Sequence, residues 1–274
     1  MGWVFHDVTR APKASSSRLF PEVDSRASES PRQGNEVSSS PRASGPQDQD
    51  DCYNMSGVRK AFILCVTEGR RGTTIDLINL QETLRSLGFE VSKCINPNGQ
   101  EIFSSLEKYR DSIKDEVCCS FVFILAHGSE GKVRGRDGEE ADLEEIFDMF
   151  NNEECLHLQQ KPKVFVIQAC RGDNKDRGAV SAGFRALSEK LPMVSDTFVV
   201  YPSRPGYVAY RHTAQGSYMI TFMTEVFKSH GNQEHLYDLF VRVNRRMVTE
   251  RYKTYKTTVV MESTLTKAVY LKPT

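Results

Sequence analysis

Short hydrophobic runs alternate with longer amphipathic segments from about residue 53 onward, and this alternation predicts the fold. The runs are five to nine residues long and rich in β-branched and aromatic residues, which is typical of buried strands. The predicted strands occupy residues 61–67, 89–95, 118–126, 163–169, 197–201 and 268–272. Elsewhere apolar residues recur every three or four positions, which predicts helices over residues 74–87, 100–113, 143–150, 217–228 and 236–252.

The order of these elements indicates the fold class. Strands that alternate with helices imply a mainly parallel sheet covered on both faces. We therefore expect one α/β domain, a three-layer sandwich built on a mainly parallel six-stranded sheet. Gly135 and the pair Asp137-Gly138 interrupt the pattern within residues 132–140, which predicts a small hairpin there.

The first 52 residues differ from the rest in composition. Serine, proline, arginine and glutamine dominate, as in Ser38-Ser39-Ser40-Pro41-Arg42, and apolar residues are sparse. Such a segment cannot bury enough apolar surface to offset its ordering entropy, so we expect a disordered, Ser/Pro-rich tail over residues 1–52. Residues 53–274 are then the folded part of the chain.

Charge and cysteine usage exclude several kinds of partner. The 36 basic and 36 acidic residues cancel, so the chain has no net field that attracts nucleic acid or a membrane surface. No apolar run approaches the roughly 20 residues of a membrane span, and the first residues lack the apolar core of a secretory signal. The seven cysteines include no Cys-x-x-Cys pair, which suits free thiols in a reducing compartment. We expect a cytoplasmic protein, with the nucleus as a second location.

Three predicted strands end in residues that can do chemistry. The first is followed by Arg70, the third by His127 and the fourth by Cys170. Ligands of open parallel sheets bind outside the carboxyl ends of the strands, so we expect these side chains to meet at one rim. A lone cysteine at a strand end is usually a small packed hydrophobe. Beside a histidine, however, it can form a thiolate, and the imidazole can later protonate a leaving amine.

Other chemistries fit these strand ends less well. The first strand is not followed by Gly-x-Gly-x-x-Gly or by a glycine loop ending in Gly-Lys-Ser/Thr, so a nucleotide-binding domain is disfavoured. One histidine and one cysteine are too few for a zinc site, which takes three or four protein ligands. We therefore expect nucleophilic catalysis without a metal or a cofactor.

The residues around Cys170 resemble the active-site signature of the caspases, a family of cysteine proteases. Gln168-Ala169-Cys170-Arg171-Gly172 matches the family pattern, and His127 stands 43 residues before the cysteine, near the family spacing of about 50. The resemblance covers roughly residues 53–274. It continues in GRRGT at 69–73, PGYVAYR at 205–211, QGSY at 215–218 and STLTK at 263–267. Matches this numerous in one order are a specific signal.

The resemblance implies the catalytic roles. Cys170 would be the nucleophile and His127 the proton donor to the departing amine. The backbone N–H groups of Gly128 and Cys170 would form the oxyanion hole, which stabilises the charge that develops in the transition state.

The resemblance also implies how a substrate is bound. Arg70, Arg211 and Gln168 would form a pocket for the aspartate before the scissile bond, because guanidinium groups bind carboxylates bidentately. The neighbouring subsites would be formed by the side chains of Val208, Tyr210 and Tyr218 and by the backbone of Ala209.

Two features depart from the family. Caspases commonly carry tryptophan where this chain has Tyr210 and Tyr218, so the preference for residues farther from the cut bond is open. Caspases are also typically cut in a linker between a large-subunit part and a small-subunit part. In this chain the large-subunit part would be residues 53–172, the linker residues 173–196 and the small-subunit part residues 197–274. Residues 177–195 hold no aspartate, and the flanking Asp173, Asp176 and Asp196 are poor sites for self-cleavage.

The residues and the resemblance together predict a cysteine endopeptidase that cuts protein substrates after accessible aspartates. We expect a dimer, with a second copy or with another caspase, paired through the closing strand over residues 268–272. The alternative is a catalytically idle homologue that acts by dimerising with other caspases. The presence of Cys170, His127 and both pocket arginines favours the enzyme, whereas the poor linker favours a dormant protein.

Overall fold

A six-stranded sheet runs through the part of the chain that the computed structural model describes, residues 51–172, 193–249 and 257–272. In chain order the strands are β1 (Val58–Cys65), β2 (Phe89–Ile95), β3 (Val117–Leu125), β4 (His127–Ser129), β5 (Lys132–Arg134), β6 (Glu140–Asp142), β7 (Lys163–Gln168), β8 (Thr197–Tyr201), β9 (Arg211–His212), β10 (Gly216–Ser217) and β11 (Val260–Ser263). The large sheet has the order β11-β8-β7-β3-β1-β2. Its strands are parallel except β11, which runs antiparallel to β8. The predicted α/β class is confirmed.

Helices cover both faces of this sheet. They are α1 (Thr73–Ser86), α2 (Gly99–Asp111), α3 (Leu143–Asp148), α4 (Tyr218–His230) and α5 (Leu236–Thr249). Successive residues of β1 alternate between two hydrophobic clusters: Ala61 and Ile63 pack with α1, α4 and α5, whereas Phe62 and Leu64 pack with α2 and α3. Burial on both faces explains the nearly continuous hydrophobic runs of β3, β7 and β8. None of these helices is long and apolar enough to cross a membrane.

Local signals place the helix starts close to the predicted positions. Asn98 caps α2 by accepting a hydrogen bond from the Glu101 N–H (2.7 Å), and the Glu101 carboxylate accepts one from the Asn98 N–H (2.8 Å). Gly72 precedes α1 with a φ of 86°, a left-handed conformation that favours glycine. The predicted end of the last helix, residues 250–252, lies outside the described residues.

The predicted closing strand over residues 268–272 is wrong, because the sixth strand is β11. The backbone of residues 268–272 bonds to several separate neighbours and not to one strand. The Ala268 N–H donates to the Asp51 carbonyl (2.8 Å), whereas the Val269 carbonyl accepts from the Leu236 N–H (2.9 Å). β11 could not be predicted from the hydrophobic pattern, because it is four residues long and half exposed.

The hairpin predicted over residues 132–140 is part of a larger element. β5 and β6 pair antiparallel, and β4 pairs with β5 as a third strand. A separate two-stranded ribbon is formed by β9 and β10. Neither β4 nor the ribbon was predicted, since periodicity cannot detect strands of two or three residues.

The predicted tail and linker lie mostly outside the described residues. Residues 1–50 and 173–192 are not described, so the disorder of the tail and the division of the chain at the linker stay predictions. Asp51 and Cys52, which end the predicted tail, both pair with Ala268. All seven cysteines belong to the described part and are free thiols.

A buried polar network ties distant parts of the chain together at the opposite end of the sheet from Cys170. Asp196, just before β8, is only 3% exposed. Its carboxylate accepts hydrogen bonds from the hydroxyls of Tyr53 (2.6 Å), Ser195 (2.7 Å) and Thr266 (2.8 Å). Burial alone would raise the pKa of Asp196, but these hydrogen bonds outweigh it and hold the pKa below its ordinary value.

We expect Tyr53→Phe to lower the free energy of unfolding by about 1–3 kcal/mol, because it removes buried hydrogen bonds to the Asp196 carboxylate and from the Thr266 N–H. Denaturant unfolding measures the loss, and Tyr237→Phe is the control because Tyr237 is 44% exposed.

The loss should depend on pH. The folded-state pKa of Asp196 lies below its unfolded value of about 3.9, so the stabilisation is present above that pH and disappears as the pH falls through the folded pKa. Equal losses for Tyr53→Phe and Tyr237→Phe would contradict this role of the network.

Candidate active site

The three strand ends singled out by the sequence lie side by side. β1, β3 and β7 are neighbours, with Cys65 opposite Leu125 and Leu125 opposite Gln168. Because the strands are parallel, the segments that follow them leave the sheet at one edge. There they line an open cleft of about 280 Å³. Its lining residues are Arg70, Ala126, His127, Gln168, Ala169, Cys170, Ala209, Tyr210 and Arg211.

The Cys170 thiol is partly exposed in this cleft. Backbone hydrogen bonds fix the segment after it against a facing loop: the Arg171 N–H donates to the Tyr207 carbonyl (3.0 Å), and the Gly206 N–H donates to the Arg171 carbonyl (2.6 Å). The two backbone segments approach so closely that a Cβ on Gly172, whose φ is 143°, would lie 2.6 Å from the Gly206 backbone. The segment that follows the nucleophile candidate is therefore held against this loop.

His127 lies at the rim of the cleft at the start of β4. Its ring nitrogen Nε2 is 3.5 Å from where a Cβ on Gly69 would stand, and a hydrogen bond with the Glu68 backbone orients the ring. Partial burial, followed by the positive charges of Arg70 and Arg211, lowers the pKa of His127 below its ordinary value, against the hydrogen bond to Glu68. The imidazole is therefore neutral at pH 7 in the empty cleft.

Gly128 brings the backbone of β4 beside the backbone of Cys170. A Cβ on Gly128 would lie 2.5 Å from the Lys132 carbonyl oxygen, 3.0 Å from the Ala169 Cβ and 3.1 Å from the Cys170 carbonyl oxygen. No side chain fits in this space. The N–H groups of these two residues are the predicted oxyanion hole, and the close approach brings the two backbones together.

Arg70 is a buried cation at the base of the cleft, with 4% of its surface exposed. Its guanidinium donates to the carbonyl oxygens of Val66 and Gln168, both at 3.1 Å. Burial, and then the nearby charge of Arg211, lowers the pKa of Arg70 to about 10. The group remains charged at pH 7.

Arg211 adds a second cation from the β9–β10 ribbon. Its side chain is half-buried, and burial lowers its pKa below the ordinary value while the negative charge of Asp76 opposes the shift. Among the described residues, neither Arg70 nor Arg211 forms an ion pair with a carboxylate. The cleft therefore carries positive charge suited to an anionic ligand.

Gln168 leaves hydrogen-bonding capacity unused in the cleft. It is 2% exposed, and its Oε1 atom is buried without a hydrogen-bond partner in the described part of the chain. A buried polar atom left unsatisfied costs about 1–3 kcal/mol, so a ligand group that donates a hydrogen bond to this oxygen gains from it.

The remaining predicted subsite residues divide into two groups. Ala209 and Tyr210 line the cleft. Val208 and Tyr218 are half-buried and are not among the residues that line it. Tyr218 begins α4, where its ring stacks with Phe222 at a centroid distance of 6.5 Å.

Arg171, the residue after the nucleophile candidate, is fixed by two side chains that the sequence did not point to. The Arg171 guanidinium stacks over the Tyr201 ring, with 3.7 Å from Cζ to the ring centroid, and its Nη2 lies 3.8 Å from a Glu262 carboxylate oxygen. Glu262 belongs to β11, so these contacts join the segment after Cys170 to the edge of the sheet. Arg171 was part of the recognised signature, but Tyr201 and Glu262 carry no local pattern.

Two other supports were missed altogether, the Glu68 backbone beside His127 and the buried Asp76 near both arginines. A cluster of three or more His, Cys, Asp or Glu side chains fit to hold a metal is not found among the described residues. What the cleft assembles is a thiol, an imidazole and a cationic pocket.

A thiol and an imidazole on neighbouring strand ends are the parts of a cysteine-peptidase site. The family model for the caspase domain (Peptidase_C14) matches residues 58–270, and the chain belongs to the caspase family of cysteine peptidases. The chain is 38% identical to human caspase-14 (Homo sapiens) over 82% of its length and 97% of that protein. It is 34% identical to caspase-14 of Mus musculus over 82% of the chain and 96% of that protein. With caspase-3 of Bos taurus it shares 32% identity over 69% of each chain.

We expect His127 to titrate below its ordinary value of about 6.5 in the ligand-free protein, and its pKa to rise in Arg211→Met because one of the opposing positive charges is gone. NMR titration of the labelled imidazole measures both. Arg71→Met is the matched control, since Arg71 is exposed. A pKa at or above 6.5, or equal values in the two variants, would contradict the electrostatic account.

Proposed function

We propose that this caspase-family protein is a cysteine endopeptidase that hydrolyses peptide bonds after aspartate. One observation carries the proposal: Arg70 and Arg211 line the same cleft as Cys170 and His127. A nucleophile and a proton carrier thus lie beside two cations that lack a carboxylate partner among the described residues.

Cys170 and His127 divide the covalent chemistry. The neutral imidazole takes the thiol proton as the sulfur attacks the carbonyl carbon, and the imidazolium then gives that proton to the departing amine. The product is a thioester on Cys170. A water molecule, deprotonated by His127, attacks the thioester and releases the new carboxylate and the free thiol. The backbone N–H groups of Gly128 and Cys170 stabilise the oxyanion in both halves.

The arginines select the residue before the cut bond. An aspartate carboxylate between Arg70 and Arg211 would gain charge-assisted hydrogen bonds from both guanidinium groups. Asparagine has nearly the same shape but no charge, so it would leave two partly desolvated cations without a carboxylate bonded to either of them. A site built on such bonds rejects a ligand that lacks the group by roughly 10⁴-fold.

Substrate binding also favours the chemistry. After burial, the charges of Arg70 and Arg211 are the next largest causes of the lowered pKa of His127. A bound carboxylate offsets those charges, so the imidazole becomes a stronger base when an aspartate occupies the pocket. Selection and reactivity are therefore coupled through one electrostatic interaction.

A dormant or idle homologue is the second candidate, and Asp196 supports it. Asp196 is 3% exposed, its N–H donates to the Thr264 carbonyl and its carbonyl accepts from the Lys163 N–H. A protease that needs an extended, accessible segment cannot reach this bond without opening the sheet. Asp173 and Asp176 lie outside the described residues.

The sheet edge at β11 is the surface we propose for dimerisation, in place of residues 268–272. β11 ends the six-stranded sheet, and in the described part of the chain no further strand pairs with its outer side. Such an edge is a template for pairing with another chain, either a second copy or another caspase. The free thiols suit a reducing compartment, and the cytoplasm is the location we propose.

We expect wild-type protein to cleave a peptidyl-aspartyl amide reporter and Cys170→Ala to lose all activity, because the thioester cannot form. Arg211→Ala should lower kcat/KM by about 10²-fold or more through lost carboxylate binding. Arg71→Ala, an exposed neighbour of Arg70, should leave kcat/KM unchanged.

The same assay separates the two candidates. A foreign protease site placed in residues 177–195 lets the uncut and the cut chain be compared. Cleavage that depends on Cys170 in either form supports the proposed endopeptidase, whereas no cleavage in both forms supports the idle homologue. A kcat/KM in Arg211→Ala equal to that of the wild-type protein would show that the aspartate pocket is wrongly assigned.

Sedimentation velocity tests the dimer. We expect a concentration-dependent shift from one chain to two, because pairing through β11 adds strands to a sheet whose edge is open. A monomer at all concentrations, both uncut and cut, would contradict self-pairing.

A further inference from the structure

The Asp76 carboxylate is fully buried in the first turn of α1, beside the arginine pocket. Its Oδ1 accepts a hydrogen bond from the Ser217 N–H (2.8 Å), and its Oδ2 accepts one from the Ser217 hydroxyl (2.6 Å). Burying a carboxylate is costly unless strong hydrogen bonds compensate. Asp76 therefore commits both oxygens to one residue that is 141 positions away in the chain.

The Ser217 hydroxyl bonds to Asp76 and does not cap a helix. Ser217 precedes the first residue of α4, the position from which a serine side chain usually caps a helix, yet it makes no capping hydrogen bond. Its hydroxyl donates to Asp76 instead. The helix start is thus left uncapped by this side chain, and the link to α1 is made.

The ribbon packs closely against the start of α1 at two glycines, Gly216 and Gly72. A Cβ on Gly216, whose φ is 90°, would lie 2.3 Å from the Asp76 Oδ1. A Cβ on Gly72, whose φ is 86°, would lie 2.7 Å from the His212 carbonyl oxygen. Neither approach tolerates a side chain, so β9 and β10 are seated directly on the helix start.

This contact fixes the two arginines relative to each other. Ser217 in β10 is the cross-strand partner of Arg211 in β9. Arg70 lies two residues before Gly72, the residue that precedes α1. The bond between Asp76 and Ser217 therefore joins the segment that carries one guanidinium to the segment that carries the other.

Charge acts in the same direction. Arg70 and Arg211 repel each other in the empty cleft, and the negative charge of Asp76 attracts both. A carboxylate that attracts both cations and is bonded to the ribbon opposes their separation, and Asp76 is not among the residues that line the cleft.

We infer that Asp76 is a positioning residue of the substrate pocket: it holds the ribbon that carries Arg211 against the helix start next to Arg70, so that both guanidinium groups meet one carboxylate. The inference rests on the proposed aspartate specificity and names the residue that maintains it. Asp76 touches neither the scissile bond nor the nucleophile.

Asp76→Asn and Ser217→Ala test the inference. Each should raise KM for the aspartyl reporter by about 10-fold while kcat changes by less than about 3-fold, because the pocket is loosened and Cys170 with His127 is untouched. The double variant should be little worse than either single one, since both remove the same contact. Asp238→Asn, an exposed carboxylate in the first turn of α5, should leave KM unchanged.

A second readout does not need turnover. In the Cys170→Ala background, the Kd of a fluorescent peptide ending in aspartate should rise about 10-fold with Asp76→Asn, and a matched peptide ending in asparagine should bind weakly to all variants. Circular dichroism verifies folding. Should Asp76→Asn fail to fold, Ser217→Ala decides the question, since its hydroxyl caps no helix.

The outcomes separate the inference from the proposed function. Wild-type protein that neither cleaves the reporter nor binds the aspartyl peptide would overturn both. Wild-type protein that does either, with folded variants whose KM and Kd are unchanged, would overturn the role of Asp76 alone. Equal falls in kcat and kcat/KM, or effects that simply add in the double variant, would also overturn it, because they indicate a general structural defect.

Discussion

Two like charges held close together in one cleft are the constraint on which the rest of the site depends. Arg70 is almost fully buried and Arg211 is half-buried. Burial disfavours the charged form and lowers the pKa of each guanidinium below its ordinary value. The protein tolerates them because the carbonyl groups of Val66 and Gln168 hold the first, and Asp76 offsets the charge of both. An empty cleft of this kind is preorganised for an anion, since the cost of bringing the cations together is met on folding and not on binding.

Reactivity and selectivity have different structural supports. Cys170 and His127 follow β7 and β3, the two strands at the centre of the sheet, whose side chains are buried along their whole length. Arg211 lies on a two-residue strand of a ribbon outside the sheet, which is kept in place by contacts with α1. Changes in the ribbon should therefore alter which substrates bind more readily than they alter the chemistry at the thiol.

The sequence predicted those parts of the fold and the site that local pattern encodes. β2 and β8 have the predicted bounds: β8 is a short apolar run between polar residues, whereas β2 begins with apolar Phe89 and Val91 in alternation with polar Glu90 and Ser92. β11 is half exposed and β4 has three residues, so neither has a periodicity to detect. The side chains at strand ends could be named in advance because parallel strands bring their ends together. The bond between Asp76 and Ser217 could not, since it arises only when α1 and the ribbon pack.

In the proposed function, the cleft selects a substrate by the charge of the side chain before the cut bond, and a comparison of three reporters measures this selection. kcat/KM should be measured on wild-type protein, uncut and cut in the linker, with reporters that differ only in carrying aspartate, asparagine or glutamate before the scissile amide. We predict that aspartate is preferred over asparagine by about 10³-fold or more, because only the carboxylate neutralises Arg70 and Arg211. Comparable rates for aspartate and asparagine, in a protein whose activity depends on Cys170, would contradict it.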